Sequence, residues 1–224
     1  MGLEPDGEAS AGNHELTNTV TEPVPIDSPH DFLVREALRT REYWILLAGS
    51  VMRITLWGAI SVHGVEMMVW HGMAREAAGF MFSLMFLLSI PTRLIAGYFG
   101  DKLPLQPFLC MGMVAAAMAC VSLLFLGGDL GVVIFVLLMA VEQGCSTLNW
   151  VALGNYFGRR SFATLMGIMS TCFNIGMLIS PIYAGVLFDR THTYTVVLFT
   201  FIPIYVASGI FFLLSRRPRS PVGI

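Results

Sequence analysis

The stretch Ser89-Ile-Pro-Thr-Arg-Leu-Ile-Ala-Gly-Tyr-Phe-Gly-Asp-Lys102 places an arginine inside an apolar run and ends that run in a glycine-containing turn with an acid and a base. An ionisable side chain within a membrane helix costs a few kcal/mol, so such residues commonly line a polar path and function there. If the helix ends near Gly100, Arg93 lies about 10 Å inside it at 1.5 Å per residue. We interpret Arg93 as a guanidinium that binds an anionic group, since its planar fork matches a carboxylate. The alternative is an internal ion pair that only joins helices.

The composition around this stretch indicates a membrane protein. The 224 residues are 55% hydrophobic and 12% charged, with a mean hydropathy of +0.71, whereas soluble domains average about 45–50% apolar and about 25% charged residues. Six apolar segments are long enough to cross a bilayer core of about 30 Å, which needs about 20 residues each. They span residues 43–69, 77–99, 108–126, 131–156, 162–188 and 194–214. We therefore predict an all-α membrane protein with six transmembrane helices, in which short connections make successive helices antiparallel neighbours.

Charge is distributed unevenly along the chain. Residues 1–31 hold seven acids and no Lys or Arg. We expect 1–40 to be a disordered acidic cytoplasmic tail or linker, 41–215 the six-helix domain and 216–224 a basic cytoplasmic tail. Lys and Arg accumulate on the cytoplasmic side of membrane proteins, and nine basic residues on one set of flanks against two on the other predict that both termini are cytoplasmic. The nine are Arg35, Arg39, Arg41, Lys102, Arg159, Arg160, Arg216, Arg217 and Arg219, and the two are Arg75 and Arg190.

Two opposite charges are predicted at the same depth. Arg53 lies ten residues into the first segment and Glu142 eleven residues into the fourth, so each is about 15 Å from the end of its helix. A buried glutamate with an arginine partner could exchange protons or release that partner when a ligand arrives, which would make it a coupling or gating site. The alternative is a static salt bridge, and nothing in the sequence shows whether the side chains meet.

Other polar residues fall within the apolar segments. Asn149 continues a polar stripe with Glu142, and Asn174 is a second candidate ligand-binding amide, although such residues often only bond across helix contacts. His63 could sense protons or form an interfacial pair with Glu66. The four cysteines have no metal-binding spacing, and no hydrolase, Walker A or carboxylate metal motif appears. We therefore predict no metal, no cofactor and no enzyme activity.

Three stretches resemble a known family. The segment 97–102, GYFGDK, is similar to the GxxxD(R/K) loop of the major facilitator superfamily. The segment 155–162, NYFGRRSF, followed by Gly167, and the segment 180–189, SPIYAGVLFD, followed by Tyr194, resemble stretches of its monocarboxylate and oxalate/formate branch. The chain resembles the C-terminal six-helix half of such a carrier over about residues 41–215.

The resemblance implies roles for particular residues. Arg93 matches the helix-eight arginine that binds the substrate carboxylate in this branch, and His63 resembles a histidine near the outer end of helix seven. Gly97, Asp101 and Lys102 match the loop that helps to control movement of the two halves. Arg159 and Arg160 belong to the second matching loop.

The resemblance also implies partners. Facilitator carriers have two six-helix halves with the substrate between them near the midplane. The expected partners are the lipid bilayer, a small organic anion, protons as a candidate coupling ion, and a second six-helix half supplied by a separate chain or by self-dimerisation; nucleic acid is not expected. The expected function is secondary transport of a monocarboxylate or dicarboxylate across the plasma membrane. The alternative is a truncated or vestigial half with only a structural or assembly role.

Overall fold

A computed structural model describes residues 31–100, 102 and 104–218, and these residues form helices joined by turns, with no strand among them. Six spans are long and apolar enough to cross a membrane, which confirms the predicted all-α architecture of six transmembrane helices. The helices are α1 (Val34–Ala37), α2 (Arg41–Trp70), α3 (Arg75–Gly100), α4 (Leu105–Phe125), α5 (Gly128–Ser146), α6 (Leu148–Phe157), α7 (Phe162–Thr191) and α8 (Thr195–Leu214).

The ends of the long helices follow local chemistry. Helix α2 begins after Thr40, whose side-chain oxygen accepts a hydrogen bond from the Tyr43 N–H at 3.3 Å and so satisfies one donor of the first turn. It ends just before Gly72, which has a φ of +107°. Helix α7 ends at Thr191, and the next residue, His192, adopts the left-handed conformation with a φ of 53°.

The fourth span consists of two helices, α5 and α6, which meet at Thr147. The hydroxyls of Ser146 and Thr147 donate to the carbonyls of Gln143 and Gly144 at 2.7 and 2.9 Å. Hydroxyls that bond to carbonyls of the preceding turn compete with the helical backbone pattern and often bend helices. The single apolar segment predicted at 131–156 is therefore interrupted next to the buried polar residues.

Neighbours in sequence are not always neighbours in space. Helix α2 packs against α7, α8 and α3, while α4 packs against α8 and α5, and α3 against α5. Helices α7 and α8 make little contact with each other, and the same is true of α3 and α4. The expectation that successive helices pack side by side is wrong for these two pairs. The physical reason is that small residues, which let two helix backbones come close together, face helices that are distant in the chain, as in the pair α2 and α7.

Glycine provides that close approach between α2 and α7. A Cβ atom added at Gly176 would lie 2.0 Å from Thr55 Oγ1, and one added at Gly58 would lie 2.9 Å from the backbone of Met177. Small residues at these positions let the two backbones approach, as is common in membrane proteins. Gly97 and Gly167 do not pack in this way, since a Cβ there would meet no atom of the described residues within 4 Å.

Helices α3 and α7 are the two most exposed spans of the domain. Within their most apolar windows only 17% of the residues are buried, compared with 50% for α2 and 56% for α4 and the fourth span. Each carries an exposed polar side chain within its apolar length, Arg93 on α3 and Asn174 on α7. The other four spans supply most of the buried core.

The folded region begins earlier than predicted. Residues 31–40 were assigned to a disordered tail, but they contain α1, and Phe32 is only 3% exposed. The Phe32 N–H donates to the Phe157 carbonyl at 3.1 Å, and the two rings pack edge to face with centroids 5.6 Å apart. This docking explains the difference, because the end of α6 and the loop after it hold Phe32 in a buried position. The rest of the predicted tail, 1–30, and residues 219–224 lie outside the described residues.

Candidate functional site

A buried ion pair joins α2 to α5. Arg53 Nη1 donates to Glu142 Oε1 at 2.9 Å, with side-chain exposures of 8% and 0%. The two residues predicted to lie at the same depth therefore do meet. Arg53 Nε and Glu142 Oε2 have no hydrogen-bond partner among the described residues. Since one hydrogen bond holds this pair, each side chain keeps an unused polar atom.

Arg93 lies beside this pair but on the exposed face of α3. Its Nη2 is 3.5 Å from Gln143 Oε1, which is at the outer limit for a hydrogen bond. Gln143 follows Glu142 on α5; it is buried, and its Nε2 has no partner among the described residues. Arg93 is also close enough to Glu142 for electrostatic attraction. One weak contact therefore holds a guanidinium that is open to the exposed side.

Tyr205 on α8 borders the same cluster from the opposite side. The residue is fully buried, and its hydroxyl has no hydrogen-bond partner among the described residues. Tyr205 is close enough to both Arg53 and Glu142 to interact with their charges. Residues from α2, α3, α5 and α8 thus surround one buried carboxylate.

The two predicted amides lie in different environments. Asn149 is 1% exposed, and its Oδ1 accepts a hydrogen bond from the Ser50 hydroxyl at 2.6 Å. Asn174 is exposed on α7. Neither forms a hydrogen bond with Arg93 in the part of the chain that the structure describes. Asn149 therefore links α6 to α2 in the interior, whereas Asn174 is exposed on α7.

His63 connects α2 to the C-terminal part of α7 and to the turn that follows it. Its Nε2 lies 3.1 Å from the Pro181 carbonyl and its Nδ1 lies 3.1 Å from the Tyr194 hydroxyl. A carbonyl only accepts, so Nε2 carries the hydrogen, and Nδ1 of the neutral ring accepts from Tyr194. Burial raises the pKa of Tyr194 above its ordinary value, which keeps its hydroxyl protonated as a donor. Glu66 does not pair with His63 but binds Arg75 through two hydrogen bonds of 2.5 and 3.0 Å.

The GYFGDK turn lies at the end of α3. Lys102 Nζ donates to the Tyr98 hydroxyl at 2.5 Å and lies 3.9 Å from the centre of that ring. Gly97 faces open space, and Asp101 lies outside the described residues. The structure therefore places Lys102 against Tyr98 at the end of α3. The role of Asp101 in the turn stays a prediction.

The second matching loop connects α6 to α7 and contacts the segment before α1. The Arg159 N–H donates to Asp31 Oδ1 at 2.9 Å, and the Ser161 hydroxyl donates to the Phe32 carbonyl at 2.7 Å. The side chains of Arg159 and Arg160 are exposed. Gly158 has a φ of +79°, and a Cβ there would collide with Asp31. This loop therefore fixes the chain just before α1.

Sequence reasoning missed two members of the central cluster. Gln143 is a polar residue in an apolar segment directly after Glu142, so its type and position were a usable signal. Tyr205 gave no such signal, because tyrosine is common in apolar helices and its partners come from other spans. Across the described residues, no three His, Cys, Asp or Glu side chains are grouped to hold a metal, and all four cysteines are free.

Comparisons with known proteins give the family. The family model of the Major Facilitator Superfamily matches residues 43–223. The chain is 28% identical over 153 residues to "Uncharacterized transporter YycB" of Bacillus subtilis (strain 168), covering 64% of this chain and 37% of that protein. It is 31% identical over 103 residues to "Glucose-6-phosphate exchanger SLC37A2" of Bos taurus, covering 43% of this chain and 21% of that protein.

The family match covers most of the chain and all six spans, so this chain belongs to the Major Facilitator Superfamily. It is a multi-pass integral membrane protein. The matched regions span only about a third and about a fifth of the length of these two relatives.

Proposed function

We propose that this domain is one half of a secondary transporter for a small organic anion, a monocarboxylate or a dicarboxylate. The observation that carries the proposal is the exposed guanidinium of Arg93, whose one hydrogen bond among the described residues is a 3.5 Å contact to Gln143 and which lies beside a buried ion pair. A planar guanidinium with free donors binds a carboxylate through two parallel hydrogen bonds. The family and the names of both relatives support a transporter rather than an enzyme.

The anion would bind at Arg93 from the exposed side of α3. Gln143 Nε2, a buried donor without a partner, would offer a second hydrogen bond to the same ligand. Asn174 would contact the far end of a ligand that reaches α7. Asn149, predicted as a binding residue, would act indirectly by holding α6 against α2 through Ser50.

The Arg53–Glu142 pair would couple binding to movement. An anion next to Arg93 adds a negative charge close to Glu142, which weakens the hold of Arg53 on that carboxylate. Protonation of Glu142 would also weaken this ion pair, because it removes the negative charge that attracts Arg53. Coupling to protons is therefore part of the proposal, with His63 as a gating residue that joins α2 to α7 at the outer end.

The proposal requires a second six-helix half. Alternating access needs two bundles that move around one site, and α3 and α7, which carry Arg93 and Asn174, are the two least buried spans. A separate chain or a second copy of this chain would cover these exposed helices, and the turn with Asp101 would regulate the movement. The excess of Lys and Arg on one side supports cytoplasmic termini in a plasma membrane. The alternative is a truncated or vestigial half with a structural or assembly role only.

Transport in sealed vesicles tests this proposal. We would measure uptake of labelled lactate, oxalate and glucose 6-phosphate by vesicles that contain the chain, alone and with candidate second halves. Glucose 6-phosphate is included because the bovine relative is named as an exchanger of that compound. We expect Arg93→Ala to abolish uptake and Arg93→Lys to retain part of it, because a lysine keeps the charge but not the fork.

A matched control is Arg190→Ala, which removes an exposed arginine at the end of α7, on the side away from the cluster. Equal uptake by wild type and correctly inserted Arg93→Ala would contradict the binding role. A Glu142→Gln variant that keeps normal pH dependence would contradict the coupling role. No uptake of any anion with any second half would favour the structural alternative.

A further inference from the structure

The polar atoms without partners around Glu142 are mostly donors. Arg53 Nε and Gln143 Nε2 can only donate, the Tyr205 hydroxyl can donate or accept, and Glu142 Oε2 is an acceptor when the carboxyl is ionised. Buried donors without partners are costly and uncommon in native proteins. A ligand that brings acceptor oxygens would satisfy them. The chemistry of the unused atoms therefore fits an anion.

The formal charges of the cluster limit which anion fits. Arg53 and Arg93 are positive and Glu142 is negative, so one positive charge remains without a partner in the described residues. A monoanion at Arg93 would make the cluster neutral. A dianion would leave an extra negative charge beside an ionised glutamate at a site with little water, where such charges are disfavoured.

We propose, on the basis of the proposed function, that this cluster binds a monoanion with Glu142 ionised and binds a dianion only when Glu142 takes up one proton. The proton comes from the solvent and adds to Oε2, the carboxylate oxygen without a partner. Oε1 keeps its hydrogen bond from Arg53 Nη1, and the new O–H can donate to a ligand oxygen. Arg53 and Arg93 then balance the two charges of the ligand.

Other titratable groups near Glu142 do not carry this proton. Arg53 faces it from α2, Arg93 from α3 and Tyr205 from α8. Two thiols complete the surroundings, Cys145 on α5 beside Glu142 and Cys120 on α4 beside Tyr205. Arginine, tyrosine and thiol groups ordinarily titrate above about pH 8, so a change of charge at neutral pH falls on the carboxyl group.

Calorimetric binding experiments can count this proton. The purified full chain in lipid nanodiscs is titrated with lactate and with malonate, at one pH, in two buffers that differ in ionisation enthalpy. We expect uptake of about one proton per bound malonate and none per bound lactate, because linkage ties a change in protonation to binding. Infrared difference spectra should show a protonated carboxyl band on addition of malonate but not of lactate.

Two variants assign the proton to one residue. Glu142→Gln keeps the size of the side chain and an acceptor for Arg53, so we expect it to bind malonate with no proton uptake and no carboxyl band. Glu66→Gln changes an exposed glutamate of a different ion pair, so uptake should persist. Malonate binding by wild type without proton uptake, or with uptake that survives in Glu142→Gln, would overturn this inference while leaving anion binding intact. If neither anion bound to the wild-type chain, alone or together with the second halves of the transport assay, the proposed function and this inference would both be overturned.

Discussion

Arg53 and Glu142 share one hydrogen bond, although a guanidinium and a carboxylate can form two. Nη1 and Oε1 are 2.9 Å apart, while Nε and Oε2 stay without partners among the described residues. A buried pair recovers its desolvation cost only when its remaining polar atoms are also bonded. The pair therefore holds α2 to α5 but is poorly satisfied, which suits a contact that rearranges during function.

Removal of one partner should destabilise the domain strongly. We expect Arg53→Met to lower the free energy of unfolding by about 3–5 kcal/mol, because Glu142 would stay buried without its cation. The double variant Arg53→Met/Glu142→Leu should recover most of that loss. Unfolding in detergent micelles with increasing denaturant measures both effects. Equal stability of wild type and Arg53→Met would show that the pair is not a structural contact.

The contact between Gly176 and Thr55 should not tolerate a methyl group. We expect Gly176→Ala to lower the free energy of unfolding by about 1–3 kcal/mol, because its Cβ would overlap the Thr55 hydroxyl. Adding Thr55→Ala should restore most of the stability. Gly167→Ala is the matched control, since it adds the same atom to α7 in open space. Similar losses in both glycine variants would point to helix propensity instead of the contact.

His63 and Tyr194 should act together on stability. Tyr194→Phe removes one hydrogen bond and should cost about 1 kcal/mol, whereas His63→Ala also removes the bond to Pro181 and should cost more. Because the two side chains share a bond, the double variant should cost less than the sum of the two single variants. Thermal melting of the purified chain measures the cycle, and Val62→Ala at an exposed neighbouring position should have little effect. Strict additivity would argue against the bond.

Gly158 should be required for docking of the segment before α1. Alanine there would be strained at a φ of +79°, and its Cβ would collide with Asp31. We expect Gly158→Ala to increase hydrogen exchange at the Phe32 amide, which is bonded to the Phe157 carbonyl. Gly154→Ala should leave that exchange unchanged, since its Cβ would make only ordinary contacts at 3.7 Å. Unchanged protection of Phe32 in Gly158→Ala would contradict the observed docking.

The orientation in the membrane can be tested with single cysteines. In a background without the four native cysteines, we expect Arg75→Cys to react with a membrane-impermeant maleimide on intact cells. Arg216→Cys should react only after the membrane is opened, because basic flanks are cytoplasmic. The reverse pattern would place the termini outside the cell.

The sequence by itself determined the class of the protein and the number of its spans. Six long apolar segments leave no soluble alternative, and the equal depth predicted for Arg53 and Glu142 made them candidate partners, although only the structure shows that they meet. The predicted distance of Arg93 from the end of its helix is also correct, because α3 ends at Gly100 as expected. These conclusions depend on the length and polarity of single segments, which the sequence states directly.

Only the tertiary structure decided which helices touch. It placed α7 against α2 and α4 against α8, and it brought Gln143 and Tyr205 to the cluster, moved Asn149 into the interior and docked residues 31–33 on the loop after α6. In a membrane, most helix surfaces are equally apolar, so hydrophobicity does not select partners. Close approach at a few glycines and hydrogen bonds between distant segments make that choice, and both depend on the fold as a whole.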